Sequence, residues 1–196
     1  MRNFGKIWVG VIVAIVVLLA IGAGWYIGGY NKAVRLDEAA KTAWSNMDAV
    51  LQRRLDLVPN LVETVKGYAT HERELFENIA KSREKYFQAA TVGEKIQASN
   101  ELTGFLSRLM VLVENYPELK ASQNFLSLQD QLEGTENRIA VARTRYNEAA
   151  MTLNAYSREF FGSFFCKRAG VKAVDYFQAT EQAKTEVPKV DFSPKK

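Results

Sequence analysis

The sequence is poor in the residues that build most metal and redox sites. It has one cysteine, Cys166, and one histidine, His71, among 196 residues. A single cysteine excludes an internal disulfide and a cysteine-rich zinc site, and a single histidine excludes a metal motif built on a histidine pair. The glycine patterns that bind phosphates or dinucleotides are also missing. We therefore expect no cofactor, no metal and no enzymatic activity.

Proline and net charge are both low. The four prolines leave the stretches from Asn60 to Tyr116 and from Glu118 to Val187 uninterrupted. Long proline-free stretches favour helices over a many-stranded sheet. Residues 1–27 contribute two basic residues and no acid, so the rest of the chain has an excess of only two positive charges. Because that excess is small and scattered, we expect no nucleic-acid partner.

The amino-terminal run from Ile7 to Ile27 contains 21 residues without a charge. As a helix it would be about 31 Å long, close to the hydrocarbon thickness of a bilayer. Trp8 lies at one end, and Trp25 and Tyr26 lie at the other, as is typical of membrane interfaces. A cleaved signal peptide is the alternative, but its apolar region would be unusually long. We predict a single, uncleaved membrane-spanning helix.

The charges that flank this run bear on its orientation. Arg2 and Lys6 precede it, and Lys32, Arg35 and Lys41 follow it. Two basic residues against three is close to a tie under the positive-inside rule. We expect the amino terminus inside the cytoplasm and the main region outside it.

Apolar residues at steps of three and four predict amphipathic helices after the anchor. The face of the first comprises Leu36, Ala40, Trp44, Met47, Leu51 and Leu55. Asp56 and Pro59 predict a break and the start of a second helix that runs to about Ala90. A proline kink in one longer helix is the alternative. The third helix is expected from about Glu94 to Tyr116.

The fourth helix has the most regular spacing. Its repeating positions are Phe125, Leu128, Leu132, Thr135, Ile139, Ala142, Tyr146, Ala149, Leu153, Tyr156 and Phe160. A seven-residue repeat sustained in this way indicates coiled-coil-like packing. Gly134, beside the one polar position, either admits another backbone or is a tolerated weakness.

Short connections between long helices favour antiparallel neighbours. The expected fold is all-α, with an up-down four-helix bundle mounted on the transmembrane helix. The predicted domains are an anchor over residues 1–29, the bundle over 30–162, and a Phe-rich segment with an extended tail over 163–196.

In that topology the fourth helix returns toward the membrane. Its end would place aromatic and basic side chains near the lipid surface, namely Phe160, Phe161, Phe164, Phe165, Lys167 and Arg168. Such a sequence can dip into the interface and meet anionic lipid. The alternative is that the rings close the end of the bundle, against Tyr176 and Phe177 for example. The two cations would also lower the pKa of the Cys166 thiol.

Polar residues mark one face of the predicted second helix. They are Asn60, Glu63, Gly67 and His71, and the candidate partners on the fourth helix are Glu136, Asn137 and Arg138. We favour an internal polar network, because paired buried polar groups fix helix register. A partner-binding face is the alternative. The pair His71 and Glu72 is interpreted as part of a solvated helix face.

Several motifs, in order, resemble those of the LemA family of bacterial membrane proteins. The matching runs are Tyr30-Asn31, Ala43–Ser45, Gln52–Arg54, Asp56–Ala69, His71-Glu72, Asn115–Pro117, Leu119–Ala121, Asn124–Leu126, Gly134–Ile139, Arg145–Asn147, Tyr176-Phe177 and Pro188–Phe192. The resemblance implies a membrane-anchored helical bundle without established catalysis or cofactor. Relatives usually carry a proline after the last aromatic residue of the fourth helix, where this chain has Phe161 and Gly162.

Two classes of function follow. The first is a membrane-tethered scaffold or adaptor whose partners are the lipid bilayer, an unknown protein and, as a further candidate, a second copy of the chain. The second is a lipid-facing bundle that senses or shapes the membrane through its Phe-rich end.

Overall fold

The computed structural model describes the backbone of residues 4–178 and the side chains of residues 8–178. All regular secondary structure in that range is helical, in agreement with the all-α prediction. The helices are α1 (Phe4–Lys66), α2 (Arg73–Gln88), α3 (Val92–Val113), α4 (Pro117–Lys120), α5 (Gln123–Arg158) and α6 (Phe160–Ala169). The predicted extended tail, with the Pro188–Phe192 motif, lies outside the described residues.

Helix α1 continues through the position where the sequence predicted a break. Pro59 has no N–H to offer the carbonyl of Leu55, one turn earlier. Arg83 of α2 donates its Nε–H to that carbonyl at 3.1 Å instead. The predicted break at Asp56 is therefore wrong, and one longer helix forms instead, while the kink that the alternative included stays a prediction.

The break lies in the segment 67–72, so the predicted second helix is divided. The N–H groups of Tyr68 and Ala69 both donate to the carbonyl of Val65, which closes the last turn of α1. Helix α2 then starts at Arg73. Two candidate residues of the predicted second helix, Gly67 and His71, consequently lie in the connection rather than on a helix face.

The next two helix starts have local causes. Thr91 caps α3: its hydroxyl accepts from the N–H of Glu94, and the Glu94 carboxylate accepts from the N–H of Thr91. This reciprocal pair is a capping box, which satisfies two otherwise free donors. Pro117 begins the short α4 at a position where its missing N–H costs no helical bond.

The periodicity predicted for the fourth helix is confirmed along α5. Every repeating position from Phe125 to Tyr156 is buried or half-buried, including Thr135. Phe160 departs from the pattern, since it starts α6 and is exposed. Gly134 is also exposed, and a Cβ there would meet no described atom within 4 Å. No described backbone therefore makes the close approach that one interpretation of Gly134 required.

A sharp turn at Glu159 separates α5 from α6. Its backbone is extended, with φ −64° and ψ 149°. The turn brings Gly162 so close to the Tyr156 carbonyl that a Cβ would overlap it. Glycine at position 162 therefore permits this turn, in which the chain has no proline. At the other end, α6 stops at Gly170, whose φ of 70° suits glycine.

The chain separates into two compact units. Among the described residues, the first contains those up to Trp44 together with Asn147–Val174, and the second contains Ser45–Tyr146 together with residues 175–178. In the second unit α2 and α3 pack against each other. Its buried apolar side chains include Met47, Leu51, Leu55, Ile79, Tyr86, Leu102, Leu109, Phe125 and Ile139. The antiparallel four-helix arrangement stays a prediction.

Candidate membrane-facing and partner-binding surfaces

The amino-terminal part of α1 is an exposed apolar surface. Every side chain from Trp8 to Gly28 is exposed, although most of them are aliphatic or aromatic. By length and composition α1 is the one described helix that could cross a membrane. Burial inside the protein does not account for this apolar run.

The four phenylalanines of α6 divide into two groups. Phe165 is buried in a small cluster with Ala33, Tyr156 and Cys166. Phe160 is 85% exposed, Phe161 is 56% exposed and Phe164 is 43% exposed. Phe165 thus takes the core role considered for the whole segment, and lipid contact stays a prediction for the other three.

Aromatic contacts attach α6 to the end of the apolar run. Trp25 packs edge-to-face against Phe161 and Phe165, with ring centroids 5.0 Å apart in both pairs. Tyr26 makes similar contacts with Phe164 at 6.3 Å and Phe165 at 5.8 Å. Such pairs add stability beyond the area that they bury. The rings of α6 therefore lie beside the aromatic residues that end the predicted span.

Glycine and a tyrosine hydroxyl complete this attachment. A Cβ at Gly29 would overlap the Phe165 ring, so the ring fits only because residue 29 has no side chain. The hydroxyl of Tyr156 donates to the Gly29 carbonyl at 3.1 Å. The absence of a side chain at Gly29 therefore allows the Phe165 ring to pack directly against the backbone of α1.

Cationic side chains lie around the same contact. Lys167 and Arg168 are exposed, and the Arg168 guanidinium is 5.8 Å from the centre of the Phe164 ring. On α1, the Lys32 ammonium lies 4.2 Å from the centre of the Tyr156 ring. The exposed aromatic surface of α6 therefore ends in positive charge.

Cys166 differs from the sequence expectation. It is buried, and burial, with a smaller contribution from the charge of Asp37, raises the pKa of its thiol. The predicted lowering by Lys167 and Arg168 is wrong, because both cations point to the exposed surface while the thiol faces the cluster. A buried thiol of raised pKa is a poor nucleophile.

The internal network expected around Asn60 and Glu63 is also not what forms. Asn60 is exposed, and the Glu63 carboxylate, equally exposed, pairs with Lys66 at 2.8 Å. Asn137 and Arg138 are exposed on α5. The reason is register: α1 turns Leu61, Val62 and Val65 inward, and its polar face outward. A partner-binding role for this face stays a prediction.

Arg54 provides the buried polar contacts instead. Its side chain is 2% exposed and reaches across to α3 and α5. One guanidinium nitrogen donates to the Ser99 hydroxyl at 2.5 Å and to the Ser99 carbonyl at 3.2 Å. The other donates to the Thr103 hydroxyl and to the Glu136 carboxylate, both at 3.0 Å. Of the candidate network residues, Glu136 alone joins these contacts.

A second polar cluster lies around Asp48. Its carboxylate accepts from the Tyr86 hydroxyl at 2.6 Å, from Lys95 at 2.8 Å and from Gln52 at 2.9 Å. Burial raises the pKa of Asp48, but the bonds from Lys95 and Tyr86 outweigh it and the net pKa is lowered. Burial and the Asp48 charge together raise the pKa of Tyr86. This cluster joins α1, α2 and α3 within the second unit.

A groove between α3 and α5 is a candidate binding surface of the second unit. Its volume is about 630 Å³. Its floor is apolar, with Leu106, Met110, Val113, Phe125 and Leu132, and its edges are polar, with Glu114, Lys120, Glu133, Glu136 and Asn137 among them. Two of the sequence candidates thus line it, whereas Arg138 does not. Across the described residues, no three acidic, histidine or cysteine side chains converge to hold a metal ion.

Comparison with known proteins gives related curated sequences. The magnetosome protein MamQ of Magnetospirillum gryphiswaldense is 26% identical over 184 aligned residues, which cover 81% of this chain and 68% of that protein. The magnetosome protein MamQ 2 of Paramagnetospirillum magneticum is 27% identical with the same coverage. The protein LemA of Metamycoplasma hominis is 24% identical and covers 87% of this chain and 79% of its own length.

A protein-family model extends over most of the chain. The model of the LemA family matches residues 43–192, which include nearly all of the second unit, α5 and α6. The match agrees with the resemblance drawn from the sequence motifs. The chain therefore belongs to the LemA family.

Proposed function

We propose that this protein is a non-enzymatic, single-span membrane protein whose helical region acts as a scaffold or adaptor for protein partners at the bacterial membrane. One observation carries the proposal: α1 is a single helix whose first part is fully exposed and apolar and whose last part supplies core residues to the second unit. Such a helix would join a membrane anchor to a folded body without a linker. The membrane association is tested by alkaline extraction of membranes, which should leave the intact chain in the pellet.

The groove between α3 and α5 is the surface that we propose for a protein partner. Apolar side chains on its floor and polar groups on its edges are typical of sites that bind a short protein segment. A photo-crosslinking amino acid at Asn137, on the edge of the groove, should trap a defined partner in living cells. The same probe at Val111, which is 70% exposed on α3 outside the groove, serves as the matched control.

A substitution on the groove floor makes this test specific. Met110→Glu places a charge among the apolar floor residues and should abolish the Asn137 crosslink. Equal crosslinking from Val111, or an Asn137 crosslink that survives Met110→Glu in a folded protein, would exclude the groove as the partner site.

The orientation that we propose places the helical region outside the cytoplasm. Lys41, one of the three cations after the span, is paired with Asp37 at 2.6 Å and Glu38 at 3.1 Å. Acidic neighbours have little weight in the positive-inside rule, so the basic residues on the two sides of the span stay close to a tie and labelling has to decide the orientation. In a Cys166→Ser background, Glu118→Cys on the exposed side of α4 should react with an impermeant maleimide on intact cells. Reaction only after permeabilisation would reverse the orientation.

The second candidate function is a lipid-facing protein that senses or shapes the membrane through its Phe-rich end. The observation that favours it is the exposure of Phe160, Phe161 and Phe164 beside Trp25 and Tyr26. Reconstitution into giant vesicles tests it. The unaltered chain should change vesicle shape at high protein density, and a Phe160→Ser, Phe161→Ser, Phe164→Ser variant should not.

A further inference from the structure

We infer that α6 is an interfacial helix that lies on the membrane surface, with its exposed phenylalanines at the edge of the hydrocarbon and its basic end against anionic lipid headgroups. The inference rests on the proposed membrane anchor. It specifies which element touches lipid besides the span, at what depth, and with which lipid chemistry.

The depth follows from the aromatic contacts within the first unit. Trp25 and Tyr26 end the apolar run, the position at which such residues mark the boundary between hydrocarbon and headgroups. Phe161 and Phe164 touch these two rings, so they share their level. Phe160 in turn packs against Phe161 with ring centroids 5.0 Å apart. If α1 crosses a bilayer, α6 is held at its interface.

The two faces of α6 are suited to this position. Gly162, Phe165 and Cys166 are buried and attach the helix to the protein. Phe160, Phe161 and Phe164 form the opposite, exposed side. Exposure of this aromatic surface to water is unfavourable, because the free energy falls when apolar surface leaves water. Contact with lipid next to the span removes it from water.

The charges around α6 indicate an anionic surface. Lys32, Arg35, Lys167 and Arg168 are all exposed, and the ion pairs of the described residues involve none of them. Lys32 lies seven residues beyond Trp25, which is about 10 Å along a helix and places its ammonium at headgroup level. Glu159 is the acidic residue next to the aromatic face. Asp37 and Glu38, the acids that follow on α1, are both paired with Lys41, so the four cations outnumber the remaining acid, Glu159, and favour anionic headgroups.

Depth measurement by spin labelling tests the inference on the full chain. In a Cys166→Ser background, a nitroxide is attached to Phe160→Cys, to Val16→Cys in the middle of the span, or to Val111→Cys on α3. The proteins are reconstituted into phosphatidylcholine vesicles with or without an equal amount of phosphatidylglycerol. Accessibility to oxygen marks lipid, and accessibility to a water-soluble nickel chelate marks water.

We expect the oxygen-to-nickel ratio at residue 160 to be several-fold higher than at residue 111 and lower than at residue 16. If residue 16 is in lipid but residue 160 is as wet as residue 111, the inference is overturned while the anchor stands. If residue 16 is also wet, the proposed anchoring itself fails, and the inference fails with it.

The charge of the lipid is tested with the same probe. The ratio at residue 160 should rise when phosphatidylglycerol is present, and Lys167→Gln with Arg168→Gln should remove that rise. Lys81→Gln with Arg108→Gln, which removes two exposed cations of the second unit, is the matched control and should leave the rise intact. An unchanged ratio in both lipid mixtures would overturn the preference for anionic headgroups.

Discussion

Arg54 is a buried cation whose partners come from α3 and α5. Replacement by methionine keeps much of the length and removes the guanidinium, so Ser99, Thr103 and Glu136 lose their shared donor. We expect Arg54→Met to lower the free energy of unfolding by about 2 to 4 kcal/mol, because hydrogen bonds to a buried charge are costly to lose. Urea unfolding followed by circular dichroism measures the change.

A substitution at Glu136, the carboxylate partner of Arg54, is the matched control. The Glu136 side chain is 44% exposed, so water can solvate what the substitution leaves. Glu136→Gln keeps an acceptor for the arginine and should cost about 1 kcal/mol or less. Equal losses for both variants would contradict the view that the buried guanidinium organises these contacts.

Asp48 makes stability depend on pH. Its pKa is lowered in the folded protein below the ordinary value of an aspartate. A carboxyl group whose pKa is lowered by folding stabilises the folded protein fully when the pH is above its pKa in the unfolded chain. That stabilisation is lost as the pH falls through its pKa in the folded protein. We expect Asp48→Asn to be less stable at neutral pH and to lose less stability on acidification. Urea unfolding from neutral pH down through the carboxylate range measures both slopes, and parallel slopes would contradict the prediction.

Neither polar cluster was predicted from the sequence, for different reasons. Arg54 occupies a buried step of the series Met47, Leu51, Arg54 and Val58, so a charged residue in an apolar stripe was a usable signal. Asp48, by contrast, lies beside that stripe, and its partners Tyr86 and Lys95 come from helices 38 and 47 residues away along the chain. Spacing along one helix cannot reveal such contacts.

The continuity of α1 depends on a bond from another helix. Arg83 donates to the Leu55 carbonyl that Pro59 leaves without a helical partner. We expect Arg83→Met to cost about 1 to 3 kcal/mol, the penalty for a buried polar group without a partner. Pro59→Ala restores an N–H for that carbonyl, so the Arg83→Met cost should shrink in a Pro59→Ala background. A double-mutant cycle measures the coupling, and strictly additive costs would contradict it.

The attachment of α6 to α1 depends on Gly29. We expect Gly29→Ala to displace the Phe165 ring, at a cost of about 1 to 3 kcal/mol for overpacking. Cys166, buried in the same cluster, then reacts faster with a thiol reagent, which is the measurement. Gly28→Ala is the control, since a Cβ there meets nothing within 4 Å and alanine favours the helix. Equal thiol rates in both variants would contradict the role of Gly29.

Helices could be predicted where burial alone organises them. The repeat from Phe125 to Tyr156 was sufficient for α5, because one face of that helix is buried along its whole length. The sequence predicted that the first helix ends near Asp56, because a proline removes a helical hydrogen bond. The donor that replaces this bond, Arg83, lies 28 residues from Leu55 along the chain and cannot be recognised from local sequence. Likewise, Gly162 signals a close approach only once the turn at Glu159 is known.

At the scale of the whole molecule, the two units contain different kinds of contact. The second unit has a large apolar core with polar clusters at Arg54 and Asp48. In the first unit, α6 is attached by a four-residue cluster and by rings of the apolar run. The sequence predicted the Phe-rich segment as one group, but only three dimensions separate the buried Phe165 from its exposed neighbours. The units should therefore respond differently to loss of the anchor.

Removal of residues 1–29 tests this difference. A chain that begins at Tyr30 lacks Trp25 and Tyr26, the ring partners of α6, and it lacks Gly29, on which Phe165 rests. We expect amide hydrogen exchange in α6 to accelerate at least tenfold relative to the full chain in detergent, which corresponds to a loss of about 1.4 kcal/mol. Exchange in α3, whose core partners lie in the second unit, should not change.

The full chain with Trp25→Ala and Tyr26→Ala is the control for this truncation. It keeps the anchor and Gly29 but removes the aromatic contacts, so it should accelerate exchange in α6 by a smaller factor than the truncation. Equal acceleration in α3 and α6 would show that the anchor stabilises both units, and unchanged exchange in α6 would show that its cluster is sufficient alone. If α6 is displaced in the shortened chain, as we expect, lipid binding by that chain does not test α6 in its native position. The interfacial role of α6 therefore has to be measured on the anchored protein.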